Sequence, residues 1–159
     1  MRFASFFALF SCLLSASILF GQSTAELDKR FKNPATSKQD KMNIAYQLAS
    51  QWKKSTATAS KAADYAWQAN QLAIEVGDKR REAEAANLSA DAMFIAGNLK
   101  VSAERYVQAW NAARNYGLRD LAINCADRLQ EIARKKNDQK EELKWSREMV
   151  NYLKDSGGG

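Results

Sequence analysis

From residue 37 onward, apolar side chains recur at three- and four-residue spacing, the period of one helical face. Met42, Ala45, Tyr46, Ala49 and Trp52 form the first such stripe, with Thr36-x-x-Gln39 and Ser37-x-x-Asp40 offering N-terminal caps and Lys53 and Lys54 closing the last turn. A second helix is expected from about Thr58 to Val76, smoothed on one side by alanines 59, 62, 63, 66, 69 and 73, which let a neighbour approach closely. Asp78 opens a third, whose inner face carries Ala83, Ala86, Ala90, Met93 and Phe94, and Asn98 opens a fourth, bearing Tyr106, Val107, Ala109, Trp110 and Ala113. A fifth runs from about Asp120 to Lys136 through Leu121, Cys125, Leu129 and Ile132. The sixth starts at Asp138 and carries Leu143, Trp145, Met149, Val150, Tyr152 and Leu153.

The start and stop signals keep one phase. Gly77, Gly117 and Gly157 lie 40 residues apart, and so do Thr58, Asn98 and Asp138. Glycine ends helices because it enters the left-handed conformation freely, and short polar side chains start them. The chain therefore reads as all-α, with one supersecondary unit used three times, over 37–77, 78–117 and 118–156. Helices this long with such short connections fold back as antiparallel hairpins, and stacking the hairpins buries a continuous core. Residues 22–36 show no sustained period, and Asn33-Pro34 is a turn signal, so a short lead-in with at most a turn of helix near Leu27 is expected. Residues 157–159 read as a glycine tail or the start of a linker.

These residues resemble the tetratricopeptide repeat. The middle unit fits best: Ala86, Ser89, Ala90 and Met93 take the places in its first helix, Gly97 the turn, and Ser102, Tyr106 and Ala109 those in its second. The first unit repeats the pattern through Tyr46, Ala49, Ser50, Ala57, Ala62, Ala66 and Ala69. The third is degenerate, with Ala126, Leu129, Asn137, Glu142, Ser146 and Met149. The resemblance implies a short right-handed solenoid of three stacked hairpins. The period is 40 residues against about 34 in the standard form, which keeps HEAT or armadillo arrays as the rival fold, ranked lower because Pro34 is the only proline. The 40-residue variant is similar to the extracytoplasmic input regions of certain bacterial membrane sensor proteins.

The amino terminus points the same way. Residues 1–21 hold one base, Arg2, ahead of an apolar run, the pattern of a secretory signal peptide and hence of export to a periplasmic or other extracytoplasmic site. The competing reading is an uncleaved anchor. Histidine is absent, so there is no imidazole base or histidine metal ligand, and no phosphate-binding glycine loop occurs. Neither catalysis nor a cofactor nor a metal is expected. The net charge of +6 is dispersed without a basic stripe, which argues against nucleic acid as a partner. Beyond a signal peptide cut at 21, Cys125 is the one remaining cysteine, and its apolar neighbours make it a buried small hydrophobe.

The expected function is a non-enzymatic module for holding a peptide or partner protein, in a sensory or scaffolding role. In arrays of this kind the first helix of each hairpin lines the concave side. That places Gln47, Gln51 and Lys54, then Glu84, Asn87, Asp91 and Phe94, then Asn124, Asp127, Glu131 and Arg134 along a groove. Amides there can bond an extended backbone, and the acids favour a basic partner. The alternative is a structural spacer or dimerisation segment. It would use an open face on the last helix, with Trp145, Met149 and Tyr152 joining two copies as a homodimer. A membrane enters only through the signal peptide or a downstream span.

Overall fold

The computed structural model describes residues 23–156. The expected signal peptide, the cleavage point and the glycine tail lie outside the described residues. Among those residues the chain is all-helical: α1 (Thr24–Lys32), α2 (Lys38–Trp52), α3 (Thr56–Val76), α4 (Lys79–Ile95), α5 (Leu99–Asn115), α6 (Arg119–Lys135) and α7 (Gln139–Ser156). Each helix packs on the next in sequence. In addition α2 approaches α4, and α4 approaches α6, while the backbones of α3, α5 and α7 stay farther apart and meet only through side chains.

The connections repeat at half the spacing expected. After α3, α4, α5 and α6 the chain passes through a left-handed residue, at Gly77, Gly97, Gly117 and Asn137, with φ of 75°, 80°, 69° and 55°. These positions lie 20 residues apart. At each, the following amide returns to the carbonyl five residues back: Asp78 to Ala73 at 2.9 Å, Asn98 to Met93 at 2.9 Å, Leu118 to Ala113 at 2.8 Å and Asp138 to Ala133 at 2.9 Å. This is the Schellman closure, which satisfies carbonyls that a helix end leaves bare. Asparagine tolerates the left-handed region where other side chains do not, so Asn137 serves where glycine stands elsewhere.

Caps follow the closures. Asp78 accepts from Arg81 N, Asn98 from Val101 N and Asp138 from Glu141 N at 2.9, 3.2 and 3.0 Å, and Ser37 accepts from Asp40 N at 3.1 Å. Thr58 departs from its expected role. It lies inside α3, and its hydroxyl donates to the Trp52 carbonyl at 2.5 Å. Because α2 already ends at Trp52, α3 begins at Thr56 behind Ser55 and reaches 21 residues against 17 for α4, α5 and α6.

The lead-in is more ordered than its sequence suggests. Ser23 caps the nine-residue α1, Leu27 is buried against α2 and α3, and Phe31 stands edge-on to Tyr65 at 5.4 Å. The Tyr65 hydroxyl donates to Asp28, and burial followed by that bond pushes the phenol up to about 12. Short amphipathic segments carry too few periods to be recognised as helices before their partner is known.

The core is dominated by alanine, in line with the seam read from the sequence: Ala45, Ala62, Ala66, Ala69, Ala90 and Ala109 are fully buried. Two serines bond across helices within it. Ser89 Oγ donates to the Ala63 carbonyl at 2.8 Å and Ser102 Oγ to the Ala90 carbonyl at 2.9 Å. Such bonds satisfy the hydroxyls that burial would otherwise leave costly.

Candidate functional site

The helices expected to carry the groove, α2, α4 and α6, approach one another in pairs, and Asp91, Asn87 and Phe94 of α4 there meet residues outside the expected set. Lys53 Nζ lies 3.0 Å from Asp91 Oδ2, linking α2 to α4, and the Cys125 thiol donates to Asn87 Oδ1 at 3.4 Å, linking α6 to α4. Phe94 lies beneath two cations of α6, Arg128 at 5.9 Å and Lys135 at 5.3 Å from its ring centre.

The chain answers part of that line's hydrogen-bonding capacity itself. Asp91 also accepts from the Tyr106 hydroxyl at 2.5 Å, and burial, reinforced by the Asp91 charge and that bond, holds the phenol well above its usual range. Glu84 accepts from Arg80 at 2.7 Å and Arg81 at 3.1 Å, and Glu131 accepts from Arg128 at 2.8 Å. Of the four acids expected to prefer a basic partner, Glu84, Asp91 and Glu131 already face bases of their own chain. Gln47, Gln51, Asn124 and Asp127 remain exposed and open to solvent.

Trp145 requires a correction. It does not sit on an open face: it is 4% exposed, packed edge-on to Trp110, and its Nε1 donates to Glu141 Oε1 at 2.9 Å. Met149 and Tyr152 pack partly against the same cluster. All three sit on the side of α7 that faces α5 and α6. The aliphatic side chains that α7 turns outward are Leu143 and Val150, 51% and 43% exposed. A stripe of aromatics marks which side of a helix is inward as readily as it marks a free face.

A second recess lies where the sequence reading did not look. Between α3 and α5, with α4 as its floor, runs an open channel of about 440 Å³. Its walls carry Trp67, Asn70 and Gln71 from α3 and Gln108, Asn111 and Asn115 from α5, with Tyr116 at one end. A neighbouring recess of about 430 Å³ continues toward α7 and shares Asn111 and Asn115 with the first. Those two asparagines therefore form a ridge exposed to both sides.

The walls are held in place from behind. Asn70 Nδ2 donates to the Glu82 carbonyl at 2.8 Å, and Asn70 Oδ1 accepts from Gln71 Nε2 at 3.1 Å. The Arg105 guanidinium lies 4.2 Å from the Trp67 ring centre and donates to Ser89 Oγ at 2.5 Å. Burial lowers the Arg105 pKa from its usual value. Tyr116 donates to Glu82 Oε2 at 2.8 Å, and that bond raises its phenol pKa. In contrast, the side chains of Gln108, Asn111 and Asn115 make no hydrogen bond to other described residues. A carboxamide offers two donors and an acceptor at fixed geometry, so three unengaged ones in a row can pair with peptide groups of an extended chain.

The signal for this channel is present in the sequence, in the same 40-residue phase as the turns. Gln68, Gln71 and Glu75 become Gln108, Asn111 and Asn115, then Glu148, Asn151 and Asp155. Each set sits at one-turn spacing on its helix, α3, α5 or α7. The stripe is hard to notice because polar residues at helical spacing are what any solvated face shows.

Cys125 on α6, the one cysteine among the described residues, is chemically quiet. Burial pushes the Cys125 thiol up to about 12, so the thiolate needed for nucleophilic chemistry is scarce near neutral pH. No helix among the described residues is long and apolar enough to cross a membrane. No protein-family model, curated protein or solved structure matches this chain.

Proposed function

We propose that this chain is an exported, non-catalytic interaction module, similar in plan to the tetratricopeptide arrays, that holds an extended peptide segment of a partner. Export is inferred from residues 1–21, and the role as a sensory or scaffolding input region from the resemblance of the 40-residue unit. In this reading α2–α3, α4–α5 and α6–α7 are three hairpins stacked as a short right-handed solenoid. The approach of α2 to α4 and of α4 to α6, with the backbones of α3, α5 and α7 farther from one another, supports first helices on the inner side and second helices on the outer. The observation that carries the binding reading is the channel between α3 and α5, with the unengaged amides of Gln108, Asn111 and Asn115 along one wall. Extended peptides present an unpaired amide donor and acceptor at every residue, and side-chain amides can satisfy both.

The experiment is selection of binders from a random short-peptide library against the purified domain, followed by variants. Replacing Gln108, Asn111 and Asn115 together by alanine should abolish capture without lowering the melting temperature, since all three side chains are free of internal bonds. Capture that survives this change and disappears with Gln47→Ala and Asn124→Ala would move the site to the inner line of helices. The spacer reading retains one supporting observation, the internally paired acids of α4 and α6, and it gains if the library yields no binder.

A further inference from the structure

The outward crest of α7 is a second surface, independent of the channel. Along it Lys140, Leu143, Arg147, Val150 and Lys154 follow at alternating three- and four-residue steps, which places them on one line of the helix. All five are exposed. Three acids of this helix are engaged within the chain, Glu148 with Arg114 at 3.6 Å, Glu142 with Arg134 at 3.4 Å, and Glu141 with Lys144 at 2.7 Å and Trp145, while the exposed Asp155 lines the recess beside Tyr152. Lys140, Arg147 and Lys154 are left without an ion pair among the described residues. The result is a crest of three cations interleaved with two aliphatic side chains.

We infer that this crest is a docking surface for an acidic amphipathic helix of a partner protein, one that alternates carboxylates and aliphatic residues at the same spacing. Charge complementarity selects this occupant over the others. In a twofold pairing of α7 with its copy, antiparallel helices would set Lys140 against Lys154 and Arg147 against itself, so like charges oppose the homodimer. A membrane-surface helix needs a broad apolar face that sinks into the lipid boundary, and two aliphatic side chains separated by cations do not make one. An acidic helix satisfies the cations at its carboxylates and covers Leu143 and Val150 with its aliphatic side chains.

The test uses the whole domain and a synthetic helical peptide carrying Glu and Leu at that alternating spacing, with a control peptide bearing Lys in place of Glu. Fluorescence anisotropy should show binding of the acidic peptide alone. That binding should weaken roughly tenfold or more as the Debye length contracts from about 30 Å at 0.01 M salt to about 10 Å at 0.1 M. Lys140→Glu with Arg147→Glu should abolish it and allow the basic peptide to bind instead. Leu143→Asn with Val150→Asn should weaken it several-fold while leaving its salt dependence intact. Circular dichroism melting checks the fold of each variant, and Lys154→Glu alone, near the exposed end of the helix, replaces the charge pair if that pair unfolds. Equal binding of both peptides, or acidic-peptide binding unchanged by charge reversal, would overturn the inference. So would binding only to phosphatidylserine vesicles, or a sedimentation-detected dimer that charge reversal at Arg147 fails to weaken.

Discussion

Trp145 stands edge-on to Trp110, with ring centroids 5.9 Å apart and planes at 85°. Edge-to-face pairs add about 0.5–1.5 kcal/mol to the area they bury. Tyr152 meets the same Trp110 ring at 5.5 Å, so α7 is tied to α5 by an aromatic trio rather than left open. Trp145→Ala should therefore destabilise the domain by about 3–5 kcal/mol, the range for truncating a buried aromatic. Leu143→Ala, two residues away on the exposed side, should cost under about 0.5 kcal/mol. Urea unfolding of the two variants decides the matter, and similar midpoints would mean that α7 is not docked as described.

The left-handed turns make a second prediction. A Cβ added at Gly97 meets nothing within 4 Å, so substitution there is penalised by conformation alone. Gly97→Ala should cost about 1–2 kcal/mol, the penalty of an L side chain in that region. Gly97→Asn should cost less, because Asn137 already occupies the equivalent position at φ 55°. Thermal unfolding that ranks asparagine below alanine at this site would contradict the equivalence of the turns.

A third prediction concerns alkaline pH. The folded chain holds the Cys125 thiol proton up to about 12 against an ordinary 9.0, and the Tyr65 phenol proton up to about 12 against 10.0. Both groups are neutral when protonated, so folding retains protons that the unfolded chain releases. Stability from the thiol is complete below pH 9 and declines as pH rises from 9 toward 12; that from Tyr65 declines from 10 toward 12. Between about pH 9 and about pH 10 the thiol acts without Tyr65. Cys125→Ala should flatten the fall in urea midpoint across that interval while leaving the steeper fall above it. An unchanged slope would place the thiol in a wetter setting than the fold gives it.

Much of this fold can be read from the chain because its signals are local. Asp78, Asn98 and Asp138 announce helix starts, and Gly77, Gly97 and Gly117 announce stops, through bonds to atoms only a few residues away. The alanine stripes mark the seam for the same reason, since Ala69 and Ala109 must be small wherever the neighbouring helix comes from. Long-range pairing leaves no such mark. Nothing near Asp91 reveals that Lys53 and Tyr106 will occupy its oxygens, so the line on α4 looks free in sequence and is engaged in structure. Trp145 misleads in the same way, because its partner Trp110 is 35 positions earlier. Conversely, Gln108, Asn111 and Asn115 look like ordinary solvated positions until α3 and α5 are seen to stand apart around a recess.

The central claim is that a partner peptide lies along that recess. Its most direct test follows the side-chain amide signals of asparagine and glutamine by NMR while a library-selected peptide is titrated into the domain. The account predicts that Gln108, Asn111 and Asn115 shift together and saturate with the peptide, while Gln47, Gln51 and Asn124 stay in place. Shifts confined to Gln47, Gln51 and Asn124, or no shift at the three channel amides at saturating peptide, would contradict it.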